Sequence, residues 1–232
     1  LCLPAHYIAG KMMLVRAMAL QLALTLEEPS SNPLENLEDP FDFAAMVPMQ
    51  VHEILGNANG VGKLSSIKNL IIGGAPLPGS LRENIKALKN NCFLTYGMTE
   101  TVTHVAMEKL NGKDADGWLH TLPGIVVSLD KSDRLIIDAP GISETKVITN
   151  DLAKLRDNQT FKIIGRFDNL IISGGLNVIP EEIEKKIEHL FLENFIISSI
   201  PDDKLGANLH ASISGEVSNI TESYIEIKAN TE

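Results

Sequence analysis

The stretch Lys68-Asn-Leu-Ile-Ile-Gly73-Gly74-Ala75-Pro76 decides how the chain is read. Its apolar run is short, continuous and closed by Gly and Pro, the pattern of a strand buried on both faces. Leu81, Ile85 and Leu88 follow at helical spacing, and Cys92-Phe-Leu-Thr-Tyr96 supplies a second strand-like run. Strand, glycine turn, helix and strand make a parallel-sheet unit, whose ligands gather at the carboxyl ends of its strands. Gly73-Gly74 and Tyr96-Gly97 stand at those two ends.

Upstream, Tyr7 to Leu26 reads as a mostly buried helix, and a turn-rich segment runs from Pro29 to Pro40. Downstream, strands are expected at Val126 to Leu129, Arg134 to Asp138, Thr145 to Thr149 and Phe161 to Ile164. The turns Asp130-Lys-Ser-Asp133 and Asp157-Asn158 between them suggest antiparallel pairing. A new unit begins near Asp168: the run Leu170 to Ile172, Ser173-Gly174-Gly175, and a helix over Glu181 to Leu192 opened by Pro180. Strands at Phe195 to Ile200 and Leu209 to Ile213 complete it. The expected class is α/β: residues 1–167 form a parallel-sheet large-domain portion with an antiparallel β subdomain, and residues 168–232 a small α+β domain.

At 232 residues, with 44% hydrophobic and 22% charged residues, the chain can bury a real core, which excludes a disordered or fibrous protein. A net charge of -10 without any basic cluster argues against nucleic acid as a partner. The apolar stretch Met12 to Leu26 is interrupted by Arg16, Gln21 and Thr25 and falls short of the ~20 residues of a bilayer span, so no stable membrane insertion is expected. Cys2 and Cys92 fit neither a disulfide framework nor zinc-ligand spacing, and with no secretory start a cytoplasmic location is expected. The glycosylation triplets at Asn158 and Asn219 are discounted on the same ground. Oligomeric state is not legible.

Gly60-Val-Gly-Lys63 invites a phosphate-loop reading, but that pattern needs glycine where Asn57 stands and a hydroxyl where Leu64 stands. The six histidines show no paired spacing for a metal site, and core or surface histidines are the default.

Tyr96-Gly97-Met98-Thr99-Glu100-Thr101, after a buried strand, offers the components of a nucleotide-triphosphate site. An aromatic ring can lie on a purine, glycine admits a close ligand, and Thr99 with Glu100 can meet phosphate oxygens and a hard cation. The alternative is a turn with a core Tyr and a solvated Glu.

Tyr-Gly-Met-Thr-Glu-Thr resembles the hallmark of the acyl-adenylate-forming superfamily, which includes acyl-CoA synthetases, luciferases and amino-acid-activating domains. Gly73-Gly74-Ala75-Pro76 is similar to that family's adenine-pocket turn, and Gly165-Arg166-Phe-Asp168 through Gly174-Gly175-Leu-Asn177-Val-Ile-Pro180 to its interdomain motif. The resemblance implies ATP, Mg2+ and CoA as the small-molecule partners of a carboxylic acid, with Gly73, Gly74, Ala75, Pro76, Tyr96, Gly97, Met98 and Thr99 contacting the nucleotide. It makes Thr99 a phosphate contact, Glu100 the magnesium ligand and Asp168 the hinge of a mobile small domain. Asp151, in Thr149-Asn150-Asp151, fits the ribose-gripping aspartate with Arg166 as second contact; Asn150 stands where the family has glycine, and Trp118-Leu-His-Thr121 is a rival that lacks the aspartate.

Tyr7, Lys11 and Thr101 fall in the segments that the resemblance assigns to the acid. Together with Phe41 to Pro48, Leu110-Asn-Gly112 and Asn150 to Leu152, these are similar to the o-succinylbenzoate-CoA ligases of menaquinone synthesis. Such an acid has two carboxylates, and Lys11 and Arg16 are candidate cations for the unreacting one, or merely snorkelling helix residues. Another acyl- or aryl-CoA synthetase, and a non-catalytic nucleotide-binding remnant, remain open. The family's phosphate loop would precede Leu1 and its catalytic lysine would follow Glu232, so the expectation is a fragment cut at both ends and inactive alone.

Overall fold

A computed structural model of the protein describes residues 1–37, 40–190, 195–213, 215–220 and 225–229. Among the described residues, helices α1 (Ile8–Leu20), α2 (Pro48–Gly56), α3 (Gly60–Ser65), α4 (Gly79–Lys86) and α5 (Pro180–Ile187) accompany fifteen strands. The first five are β1 (Phe41–Met46), β2 (Ile67–Ile72), β3 (Asn91–Gly97), β4 (His104–Lys109) and β5 (Leu119–Thr121). They are followed by β6 (Val126–Leu129), β7 (Arg134–Asp138), β8 (Val147–Leu155), β9 (Thr160–Arg166), β10 (Ile171–Ser173) and β11 (Leu176–Val178). The last are β12 (Phe195–Asp202), β13 (Gly206–Ile213), β14 (Gly215–Ile220) and β15 (Ile225–Ala229). One nine-stranded sheet has the order β1-β2-β3-β4-β5-β9-β8-β7-β6. Among the described residues no helix is long and apolar enough to cross a membrane.

The chain divides into two compact units, the first comprising Leu1–Ser128, Ile136–Ile148 and Leu155–Lys162. In it β1, β2 and β3 run parallel, and β4 and β5 continue antiparallel. The expected βαβ unit is present, with Leu70, Ile72, Leu81, Ile85, Leu88 and Cys92 in one buried cluster. Each fully buried aliphatic side chain there contributes roughly 1.5–3 kcal/mol, so this cluster fixes where β2 and β3 end. Two buried amides tie loops to this frame. Asn111 donates to Leu88 O (2.9 Å) and Asn90 O (2.8 Å) and accepts from Cys92 N (3.1 Å). Gln50 donates to Cys2 O (3.2 Å) and Ser30 O (2.9 Å) and accepts from Val47 N (3.1 Å).

The N-terminal helix departs from expectation. It ends at Leu20, where Gln21 takes a left-handed conformation (φ 54°), and only Gly10, Met13 and Ala17 are buried. Tyr7, Val15, Met18 and Leu20 are exposed, so the helix is not mostly buried: composition identifies apolar side chains but not what packs on them.

The second unit comprises Leu129–Leu135, Thr149–Lys154 and Ile163–Glu232. Its hairpin β10–β11 turns on Gly174 (φ 57°) and Gly175 (φ 80°), two left-handed residues that a tight hairpin of this twist requires. Helix α5 opens on Pro180 with Glu181 and Glu182 in its first turn and closes with Lys185 and Lys186, charges that complement its dipole. Strands β12 and β13 pair antiparallel, as do β14 and β15.

Candidate active site

The carboxyl ends of β2 and β3 set the geometry of the first unit. Thr95 Oγ1 donates to Ile72 O at 3.2 Å, and a Cβ on Gly73 would stand 2.3 Å from that hydroxyl. Gly74 follows at φ 87°, turning the chain away, with Ala75 and Pro76 exposed beyond it. Glycine is required at the first position by packing and at the second by conformation.

After β3 the strand pairing shifts register at Gly97, whose Cβ would lie 2.5 Å from both His104 Cα and Thr103 O. Tyr96 is half-buried, its ring edge-on to Phe161 at 5.5 Å. Thr99 to Thr101 form a single 3₁₀ turn, and the buried Thr101 hydroxyl lies within hydrogen-bonding distance of Met98 N, Met98 O and Thr103 O. Thr101 thus closes the loop from inside, while Thr99 and Glu100 face solvent.

Between α1 and these strand ends lies a cavity of about 160 Å³. Ile8, Met12, Met46, Ile71 and Met98 supply apolar lining, and Arg16, Thr95, Thr103 and His104 the polar groups. The half-buried Arg16 guanidinium lies 5.2 Å over the Phe43 ring and 3.0 Å from Met13 Sδ. Burial pushes its pKa down, and among the described residues no carboxylate pairs with it. His104 Nδ1 is 3.3 Å from Thr103 Oγ1; burial, then the charge of Arg16, pushes the imidazole below the usual histidine range. Tyr7 and Lys11 are exposed and are not among the lining residues. His104, one of the histidines for which core or surface was the default, is half-buried and lines this cavity. Its position depends on the β3–β4 register, which leaves no local signal.

In the second unit Asp151 is buried on β8, and Arg166 at the end of β9 reaches it through Nη1 (3.3 Å) while Nη2 reaches Asp168 Oδ2 (3.0 Å). Asn150 Nδ2 also donates to Asp168 Oδ2, at 3.2 Å. Glu181 Oε1 accepts from Asn169 Nδ2 (2.6 Å) and Arg166 N (3.3 Å), clasping this segment to α5. The expected nucleotide residues are thus brought together in two groups: Gly73 to Pro76 with Tyr96 to Thr99 in the first unit, and Asp151, Arg166 and Asp168 in the second.

Among the described residues no three His, Cys, Asp or Glu side chains form a metal cluster. A single exposed carboxylate, Glu100, fits a magnesium held chiefly by triphosphate oxygens, a common arrangement for that ion. The apparent phosphate loop is helix α3 instead, and Lys63 donates to Leu34 O (2.6 Å) and Glu35 O (2.5 Å).

No family model matches the chain. It is 29% identical over 224 residues to a 2-succinylbenzoate–CoA ligase of Escherichia coli, covering 89% of this chain and 47% of that protein. A crystal structure of an AMP-forming acyl-CoA synthetase/AMP-acid ligase II-like protein from Dyadobacter fermentans matches with a TM-score of 0.68 and 39% identity, covering 96% of this chain and 64% of that one. The o-succinylbenzoate CoA synthetase of Bacillus subtilis, solved with ATP and magnesium, shares the fold at a TM-score of 0.71 and 20% identity, over 92% of this chain and 50% of that one. The chain spans about half the length of the curated relatives it matches. With the glycine turn and the Tyr96–Thr101 loop at the strand ends of a matching fold, the chain belongs to the acyl-adenylate-forming, AMP-binding superfamily.

Proposed function

We propose that the chain carries the nucleotide- and acid-contacting parts of an AMP-forming acid–CoA ligase, and that its acid is o-succinylbenzoate, a precursor of menaquinone. A carboxylate oxygen of the acid attacks the α-phosphorus of ATP and pyrophosphate leaves. The CoA sulfur then attacks the acyl carbon of the adenylate and AMP leaves. The observation that carries the choice of acid is Arg16: a half-buried cation lining an apolar cavity, with no carboxylate partner among the described residues. A buried charge is costly without a counter-charge, and the second carboxylate of a dicarboxylic acid supplies one. The name of the Escherichia coli relative supports the same acid.

The remaining roles follow from placement. Gly73 to Pro76 and the Tyr96 ring hold the adenine, Gly97 and Met98 border it, and Thr99 donates to phosphate. Glu100 holds magnesium, which when bound neutralises charge that develops on the phosphates. Asp151 accepts from the ribose hydroxyls with Arg166 beside it, and Asp168 is the hinge of a small domain over residues 168–232. Thr101 keeps the loop closed. Tyr7 and Lys11, exposed on α1, serve at the rim of the acid site. ATP and CoA as co-substrates suit a cytoplasmic enzyme.

In the intact protein, Glu100→Gln is expected to slow acid-dependent pyrophosphate release by about 100-fold or more while AMP affinity stays within about threefold. An unchanged rate removes Glu100 from the mechanism.

A further inference from the structure

Arg16 lines this cavity with three other polar side chains, Thr95, Thr103 and His104, and the last two lie side by side. Thr103 and His104 enter it at the start of β4, where the register shift at Gly97 brings their backbone against β3. The Thr103 hydroxyl meets one ring nitrogen of His104 at 3.3 Å, and no bond from Nε2 is present among the described residues. Arg16 lines the same cavity, and burial, then its charge, disfavours the imidazolium. The cavity lining therefore includes both a cation and a neutral imidazole, and an imidazole nitrogen can offer a hydrogen bond without adding a second buried charge.

We propose that His104 is a specificity-determining residue. Together with Arg16 it selects an acid whose non-reacting end carries a carboxylate and, next to it, a hydrogen-bonding group such as a ketone. The remaining lining, Ile8, Met12, Met46, Ile71 and Met98, takes an apolar ring or chain. This inference rests on the acid-ligase reading and adds the imidazole as the second discriminating contact. A site that hydrogen-bonds part of its substrate rejects analogues lacking that part more strongly than an apolar pocket rejects size variants, because its own polar groups are left unpaired.

The test uses the intact protein with ATP and magnesium, following pyrophosphate release with o-succinylbenzoate and, separately, with benzoate. His104→Leu is expected to raise KM for o-succinylbenzoate by about 10-fold or more, to leave kcat and the KM for ATP within about twofold, and to narrow the preference over benzoate. His104→Gln, neutral and still able to donate and accept, is expected to recover most of that loss. Equal loss with both acids, a shift in the ATP KM, or no rescue by Gln overturns the specificity role and leaves His104 a packing residue. A wild-type protein that releases pyrophosphate with benzoate but not with the dicarboxylate overturns the choice of acid itself. Its wild-type origin separates that result from a failure confined to His104.

Discussion

Arg166 Nη1 lies 3.3 Å from Asp151 Oδ1, so the arginine that ends β9 is fastened to the carboxylate buried on β8. The other guanidinium nitrogen donates to Asp168, and that hydrogen bond, then the charge of Asp151, raises the Arg166 pKa further. A planar fork can serve two carboxylates at once; an ammonium is a single point charge. Arg166→Lys is therefore expected to weaken AMP binding by about 10-fold, measured by calorimetry on the intact protein. The melting temperature should hold within a few degrees, since lysine keeps the positive charge beside the buried Asp151 and the exposed Asp168. AMP affinity equal to wild type would contradict the placement of Arg166 at the nucleotide.

Asn150 adds a restraint at the proposed hinge, through its 3.2 Å hydrogen bond to Asp168. Restoring the glycine that the family resemblance implies at this position removes the bond, worth about 0.5–1.5 kcal/mol. With Asn150→Gly, the CoA-dependent step is expected to change by about 2- to 10-fold while adenylate formation stays within twofold, read by single-turnover quench of each half-reaction. Equal changes in both steps contradict a hinge role.

Much of the frame was legible because local patterns and burial agreed. Leu81, Ile85 and Leu88 read as one helical face, and all three are in the core, although Leu88 lies just past the end of α4. The strands at β2, β3, β6 and β7 were read within one or two residues. Helix α2 was missed, although Pro48 at its first turn and Gln50 bonding back to Val47 N form a start signal. Strand β8 runs on through Asp151 to Leu155 where its expected end was Thr149, since Asn and Asp are disfavoured in strands and give the extension no local signal. Within the candidate site, the glycine turns were visible as sequence. The cavity was not, because Arg16 and His104 stand far apart in the chain and come to line one cavity only through the packing of the folded first unit.

Gly97 tests how tightly that packing is set. A Cβ there would meet His104 Cα and Thr103 O at 2.5 Å, and backbone cannot swing aside as a side-chain tip can. Gly97→Ala is expected to cost about 1–3 kcal/mol and lower the melting temperature by several degrees. Gly141→Ala, with nothing within 4 Å of its Cβ, serves as the unaffected control. Equal melting temperatures for the two variants contradict the described approach of β3 to β4.

Burial pushes the Cys92 thiol up to about 11 from an ordinary 9.0. A raised pKa means that the folded state keeps its proton while the unfolded chain loses it, so the stabilisation is complete below pH 9 and is lost as pH rises from 9 towards 11. Against wild type, Cys92→Ala is expected to lose less stability over that window, by on the order of 2–3 kcal/mol, in urea melts at each pH. Parallel pH profiles contradict a buried, neutral thiol.

The most direct measurement is pyrophosphate release by the intact protein with ATP, magnesium and a panel of acids that includes o-succinylbenzoate, first without CoA and then with it. Selective release with o-succinylbenzoate, converted to sustained turnover and a CoA thioester once CoA is added, is the expected result. Selective turnover with a different acid keeps the reaction and discards Arg16 as a carboxylate receptor, whereas silence with every acid contradicts the enzyme and leaves a nucleotide-binding remnant.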